Sequence, residues 1–401
     1  MIYFFYPSKI MGGAEYLMIN SANLLANSGL NVGVIDIEEG WIINNIQNDL
    51  IKKEVIAYGN KFQLKDEDVL VTTANNLYKL DDFFLKSNAR VLFWVVQPYN
   101  VVLSLPKILD KNKFIKSIGL FYISKKLQTH KENLQFLIKK NGIVSMDGEC
   151  DRILKIKYNL NYKKFLPIFI ENNKFFKNNI SRINNKALKI VWLGRIDLEF
   201  KIHILKKVLF DLNEIKRKLN YNFIFNIIGN GPGIEELEKF TKNIDFEINF
   251  LNELKGDNLS LVLERSDLGF AMGTSALEIA AKKVPVVLLD FSYKKVTKYN
   301  YRWIFETNEY ILGRDINLLS KEDISSMKSI ECILNELNQT CLDLPQLCYD
   351  YVYENHSSKS IFQKMIKYIS DTDLTIADIY EYRFTKPIWN KISYYLMKLR
   401  K

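Results

Sequence analysis

The sequence predicts an α/β protein of two successive βα domains, each built on a largely parallel sheet. Three observations predict it. Short apolar runs alternate with amphipathic stretches over residues 1–170. The alternation stops in residues 171–186, which hold six asparagines and few aliphatics, and then it restarts. The longest apolar runs, VLFWVV and VPVVLL, suit core strands and are too short to span a membrane. Strands separated by helices need crossover connections, which favour a parallel sheet covered on both faces.

The elements follow in order. IYFFY is a strand, followed by a loop with Gly12 and Gly13, then a helix with Met18, Ala22 and Leu25 on one face. Asn27, Ser28 and Gly29 end that helix, and NVGVIDI is the next strand. Later apolar runs are DVLVTTA, ARVLFWVVQ, GLFYIS, GIVSM and FLPIFI, with helical stretches between several of them. Past the asparagine-rich linker, LKIVWLG is a strand, residues 201–219 a helix and NFIFNIIG a strand. A helix from near Gly233, the strand FEINFL, the helix DNLSLVLERS and the strand DLGFAMG come next. A short helix and the strand VPVVLL close the pattern, and from about Ser320 the chain reads as mostly helical.

The 401 residues carry 48% hydrophobic residues, enough for two sizeable cores, and a net charge of +10. That charge favours an anionic partner: a phosphate-bearing ligand, a membrane surface or a nucleic acid. It is uneven, since residues 101–140 hold nine lysines against two acids. No nucleic-acid motif accompanies it, so nucleic acid ranks last. Four cysteines without C-x-x-C spacing, and three histidines, make a zinc site improbable and suit a reducing cytosol. MIYFFYP has no basic leader and is too short for a signal peptide. His130 reads as a solvated helix residue, His203 as a partly buried one and His356 as a loop or helix-start residue. Asp66-Glu67-Asp68 and Asp371-Thr372-Asp373 match D-x-D, but their positions suit solvated loop charge.

Ligands of open α/β sheets bind at the carboxyl ends of strands, and four places there stand out. Gly12-Gly13-Ala14-Glu15 is either an ordinary turn or a place where backbone approaches a ligand. Gly194-Arg195 with Lys201 is either a diphosphate grip or a pair of solvated charges. IIGNGPG, with Gly229 and Gly231, fits nucleotide-binding turns only loosely. In GTSALEIA, Ser275 and Glu278 have capping-box spacing. Alternatively, the amides at Thr274 and Ser275 face phosphate and Glu278 accepts from ribose hydroxyls.

With VWLGRIDLEFK, IIGNGPG, GTSALEIAAKKVPVV and GGAE in this order, the chain resembles the retaining glycosyltransferases of family 4, of the GT-B fold. The resemblance covers the organisation of most of residues 1–290. It implies two Rossmann-like domains facing a cleft, with the last helices packing back on the first domain. The corresponding boundaries are 1–170 for an acceptor-side domain, 171–186 for the linker, 187–350 for the nucleotide-sugar domain and 351–401 for the returning helices. By position, Arg195 and Lys201 would bind the donor diphosphate and Glu278 the nucleotide ribose. Gly194, Gly229, Gly231, Gly273, Thr274 and Ser275 would line the donor site, with Gly12 and Gly13 beside the cleft from the other side. Glu15 and Gln97 are the acceptor-side candidates. No metal and no cofactor are expected, because fixed cations and helix-end amides can stabilise a departing diphosphate.

Three departures stand out. The first of the family's two glutamates has no counterpart, Lys201 lies one residue further from Arg195 than usual, and Gln97 stands where many relatives have a histidine.

The lysine-rich stretch and the basic amphipathic tail KPIWNKISYYLMKLRK add the expectation of an anionic membrane surface, with the protein cytoplasmic and peripheral on the inner face of the cell membrane. The apolar face of that tail would dock on the first domain. The expected activity is sugar transfer from a nucleotide sugar to a lipid-linked bacterial surface glycan. The alternatives are a GT-B-shaped binding subunit without transferase activity, and a nucleotide-sugar epimerase or hydrolase.

Overall fold

The computed structural model describes residues 1–103, 113–171, 187–219, 222–339, 342–382 and 384. Most of the expected linker and the amphipathic tail lie outside the described residues, as do residues 104–112 of the lysine-rich stretch. The chain forms two compact units. One holds Met1–Ile168 together with the chain from Phe362 onward, and the other holds Phe169–Ile361.

In the first unit the order is β1 (Ile2–Phe5), α1 (Gly13–Asn27), β2 (Val32–Ile37), α2 (Trp41–Asn45), β3 (Ile51–Ile56), β4 (Val69–Thr73), α3 (Leu80–Phe83), β5 (Arg90–Val95), α4 (Lys113–Lys139), β6 (Ile143–Ser145) and α5 (Gly148–Tyr158). The strands pair in the order β3-β2-β1-β4-β5-β6, all parallel. The central strands are apolar on both faces because helices cover both. Edge strand β3 buries only its end residues, Ile51 and Ile56, and exposes Lys52 and Lys53 between them, which hides it from an apolar-run reading and blunts the edge.

Two apolar runs are not strands. GLFYIS lies inside helix α4, and FLPIFI forms only isolated bridges at Phe165 and Ile170. A short continuous apolar run does not by itself distinguish a strand from a helix segment.

In the second unit β7 (Leu188–Leu193), α6 (Lys201–Leu219), β8 (Phe223–Ile228), α7 (Ile234–Thr241), β9 (Glu247–Phe250), α8 (Gly256–Glu264), β10 (Leu268–Ala271), α9 (Thr274–Ala280) and β11 (Val286–Leu288) repeat the βα pattern. The strand order is β12-β11-β10-β7-β8-β9, with only β12 (Arg302–Trp303) antiparallel. Helices α10 (Lys321–Ser325), α11 (Ile330–Asn338) and α12 (Leu344–His356) follow, and α12 packs on α9.

Helices α13 (Ser358–Asp371) and α14 (Ile376–Glu381) are the last among the described residues, and the chain rejoins the first unit within α13. The Val91 amide donates to Leu374 O at 2.7 Å, and the Ile376 amide donates to Ala89 O at 2.9 Å. Leu374, Ile376, Ile379 and Phe384 join the core of the first unit. Leu374 fits because residue 142 is glycine; a Cβ there would lie 2.4 Å from the leucine.

Candidate functional site

In the second sheet, β7 lies between β8 and β10. The chain leaves β7 toward β8 and leaves β10 toward β11, so right-handed crossovers send α6 and α9 to opposite faces. The loops after β7 and β10 therefore open a crevice at the carboxyl edge of this sheet, where ligands bind in such folds.

Arg195 and Lys201 stand at that edge. The Arg195 side chain is 66% exposed. Lys201 is half-buried, and its ammonium lies close beside Gly194, where a Cβ would come within 3.7 Å of Nζ. Burial lowers the Lys201 pKa, Arg195 lowers it further, and Asp197 opposes both. Asp197 Oδ1 accepts the amides of Phe200 at 2.8 Å and Lys201 at 3.0 Å, capping α6. Asp197 was not singled out in the sequence, although an Asp shortly before a helical stretch is a start signal. Phe200, Phe291 and Tyr293 form an aromatic group beside Lys201, with Phe200 and Phe291 centroids 5.7 Å apart.

Gly229 and Gly231 have a reason internal to the fold. Both have positive φ, and a Cβ on either would fall 2.1 Å from the carbonyl oxygen of Gly194 or Ile196. The loops after β7 and β8 touch backbone to backbone, with the Ile196 amide donating to Asn230 O at 2.9 Å.

The capping-box reading of Ser275 and Glu278 is overturned. A two-residue turn, Met272 and Gly273, starts α9 at Thr274, so Ser275 is already helical, and no side chain caps the helix. Gly273 supplies the φ of 63° that this turn needs. The Thr274 side is exposed, while Ser275 and Glu278 are half-buried. The turn is braced from behind: the Gly273 amide donates to Leu312 O at 2.7 Å. Two residues on, the Arg314 amide donates to Asp290 Oδ1 at 2.8 Å. Asp290, fully buried, also takes a bidentate pair from Arg302 at 2.7 and 2.8 Å.

The first unit is described by itself. Gly12 caps α1 with extended backbone, and the Glu15 carboxylate folds back over it, so a Cβ on Gly12 would lie 2.8 Å from Glu15 Oε2. Glu15 is buried, Gly13 is exposed, and Gln97 is exposed at the end of β5. Burial raises Asp36 to about 6, against backbone amides that favour its charge, and Glu15 adds to the rise. Tyr6 is raised by burial and by Glu15.

The other expectations fare unevenly. His130 is 3% exposed and lowered to about 4 by burial, not solvated, with Nε2 2.6 Å from Val101 O. His356 is fully buried at the end of α12. His203 is half-buried on α6. Asp68 is buried and accepts the Lys65 amide at 2.9 Å, so only Asp66 and Glu67 of that D-x-D are solvated. Among the described residues no group of three or more His, Cys, Asp or Glu is arranged to hold a metal ion. No described helix is long and apolar enough to cross a membrane.

No protein-family model matches the sequence, and no curated protein matches it. Solved structures do match. Trehalose-6-phosphate synthase OtsA aligns at TM-score 0.55 and 12% identity over 92% of this chain and 98% of its own. The lipopolysaccharide outer core galactosyltransferase WaaB aligns at 0.49 and 9% identity, over 92% of this chain and 98% of that one. WaaG, a glycosyltransferase involved in lipopolysaccharide biosynthesis, aligns at 0.48 and 15% identity, over 88% and 95%. The protein has the GT-B fold: two parallel-sheet α/β units with helices that return to the first.

Proposed function

We propose that the protein is a glycosyltransferase that moves a sugar from a nucleotide-diphosphate donor to a lipid-linked bacterial surface glycan. The observation that carries this reading is the pair of cations, Arg195 and Lys201, at the switch point of the second sheet, with the uncapped start of α9 on the neighbouring strand. Breaking the bond between sugar and diphosphate builds negative charge on the leaving phosphate. Cations already fixed in place stabilise that charge without reorganising. In this reading Arg195 and Lys201 meet the diphosphate, the Thr274 and Ser275 amides meet its oxygens, and Glu278 accepts from the ribose hydroxyls. Glu15 and Gln97 serve the acceptor; Gln97 can hydrogen-bond a hydroxyl but cannot act as a base. Transfer runs without a metal ion. Trehalose-6-phosphate synthase, of matching fold, performs glycosyl transfer with retention, and the same stereochemistry is proposed here. The excess of lysine favours action at the inner face of the cell membrane.

A donor panel tests the reading. One of the UDP-, GDP- or ADP-linked sugars should raise the melting temperature and be consumed when a glycan acceptor is supplied. Failure of every donor to stabilise the protein would overturn it. The short turn before α9 favours one second reading, a binding subunit of the same shape. That reading predicts stabilisation by a donor that is never turned over.

A further inference from the structure

A buried carboxylate lies beside the two cations of the second unit. Asp197 is 6% exposed. Oδ1 is used by the amides of Phe200 and Lys201. Oδ2 is buried, accepts no hydrogen bond from any described residue, and lies 3.8 Å from Arg195 Nε. Helix capping needs one oxygen, so it does not explain the second. A buried acceptor left without a donor is costly, and such a group calls for a reason.

We propose that Asp197 is a positioning residue of this edge: one oxygen fixes the turn from which Lys201 projects, and the other, beside Arg195, holds the two cations together by its charge. The proposal rests on the diphosphate role given above to Arg195 and Lys201. Two cations brought together at a partly desolvated edge repel each other, and burial further disfavours the charged amine. The Lys201 ammonium lies beside Gly194 and 6.0 Å from the Phe200 ring centroid. Those neighbours offer it little of the solvation that water would. Asp197 opposes both effects.

The charged and titratable groups around this point are few. Arg195, Asp197 and Glu199 come from the loop after β7, and Tyr293 comes from the chain after β11. The Tyr293 phenol is raised by burial and then by Asp315, Glu199 and Asp197. Arg195, largely exposed, is free to turn from Asp197 to an arriving anion. The carboxylate then remains to support Lys201.

Asp197→Asn tests this in the intact protein, since an amide oxygen can still accept both backbone bonds while the charge is gone. Asp197→Ser is a second variant that keeps a cap without charge. The first readout needs no donor: reactivity of the Lys201 amine toward acetic anhydride is followed against pH by mass spectrometry. Its midpoint should fall by about one pH unit in both variants, while the melting temperature of Asp197→Asn stays near wild type. The second readout is inorganic pyrophosphate binding by calorimetry. From pH 7 to pH 10 the ratio of wild-type to Asp197→Asn affinity should rise, by at most about tenfold. An unmoved Lys201 midpoint overturns the proposal and leaves Asp197 as a cap. A midpoint that moves as expected supports it. If wild type then binds neither pyrophosphate nor any nucleotide sugar, it is the diphosphate reading that falls.

Discussion

At the carboxyl edge of the second sheet the prominent side chains are cations, Arg195 and Lys201; at the same edge of the first they are buried carboxyls, Glu15, Asp36 and Asp147. The two sheets share a doubly wound topology, with β1 and β7 in corresponding places. Topology therefore locates both edges and decides the chemistry of neither, which lies in the side chains grafted onto them. Each unit pairs a buried carboxylate with an arginine, Asp290 with Arg302 in the second and Glu149 with Arg152 in the first. The first unit also holds groups shifted chiefly by burial: Asp36 is raised to about 6, Asp147 to about 7, and His130 lowered to about 4.

Breaking the paired charge should give the largest effect. Arg302→Met strands Asp290 in the core and should cost about 3–5 kcal/mol. Hydrogen exchange should show the loss in the second unit, and protection unchanged there would remove the role given to the pair. Next comes the cationic edge. Arg195→Ala or Lys201→Ala should lower kcat/KM by the equivalent of about 2–4 kcal/mol with little change in melting temperature. Near-normal turnover in both would end the diphosphate assignment.

The first unit can be probed by acid. The folded pKa of His130 lies below its unfolded value, so the stability it contributes is present above about pH 6.5 and is lost as pH falls toward 4. Asp36 and Asp147 run the other way, losing stability as pH rises from about 4 through 6 and 7. They are common to wild type and His130→Gln, and cancel in the difference. The stability gap between those two proteins should narrow by about 2 kcal/mol from pH 7 to pH 5, read by urea unfolding. A gap that does not change with pH would mean that His130 does not titrate there.

Smaller effects sharpen the site. Glu278→Gln should weaken nucleotide-diphosphate binding by roughly 1–3 kcal/mol in calorimetry and leave the free protein's melting temperature unchanged. Equal affinities would take Glu278 out of the ligand site. Transfer activity should be unaffected by EDTA; full loss restored by Mg²⁺ or Mn²⁺ would contradict a cation-only edge.

The alternation of apolar runs and helical stretches was legible in the sequence, and with it the two parallel sheets; the return of the C-terminal helices came only from the family resemblance. Periodicity and turn residues act between near neighbours, so a short window contains the whole signal. The placing of Gly194, Arg195 and Lys201 after β7, and of Gly273 after β10, was legible for the same reason.

Other features depended on distant partners. Polar β3 is a strand because β2 lies beside it, and GLFYIS is helical within the long α4. Gly142 is small because Leu374 comes to rest on it, and Gly231 because the Ile196 carbonyl does. The burial of His130 and His356 and the pairing of Asp290 with Arg302 were decided by tertiary structure. Burial and charge pairing are properties of what the fold brings together, and no local stretch of sequence contains both partners.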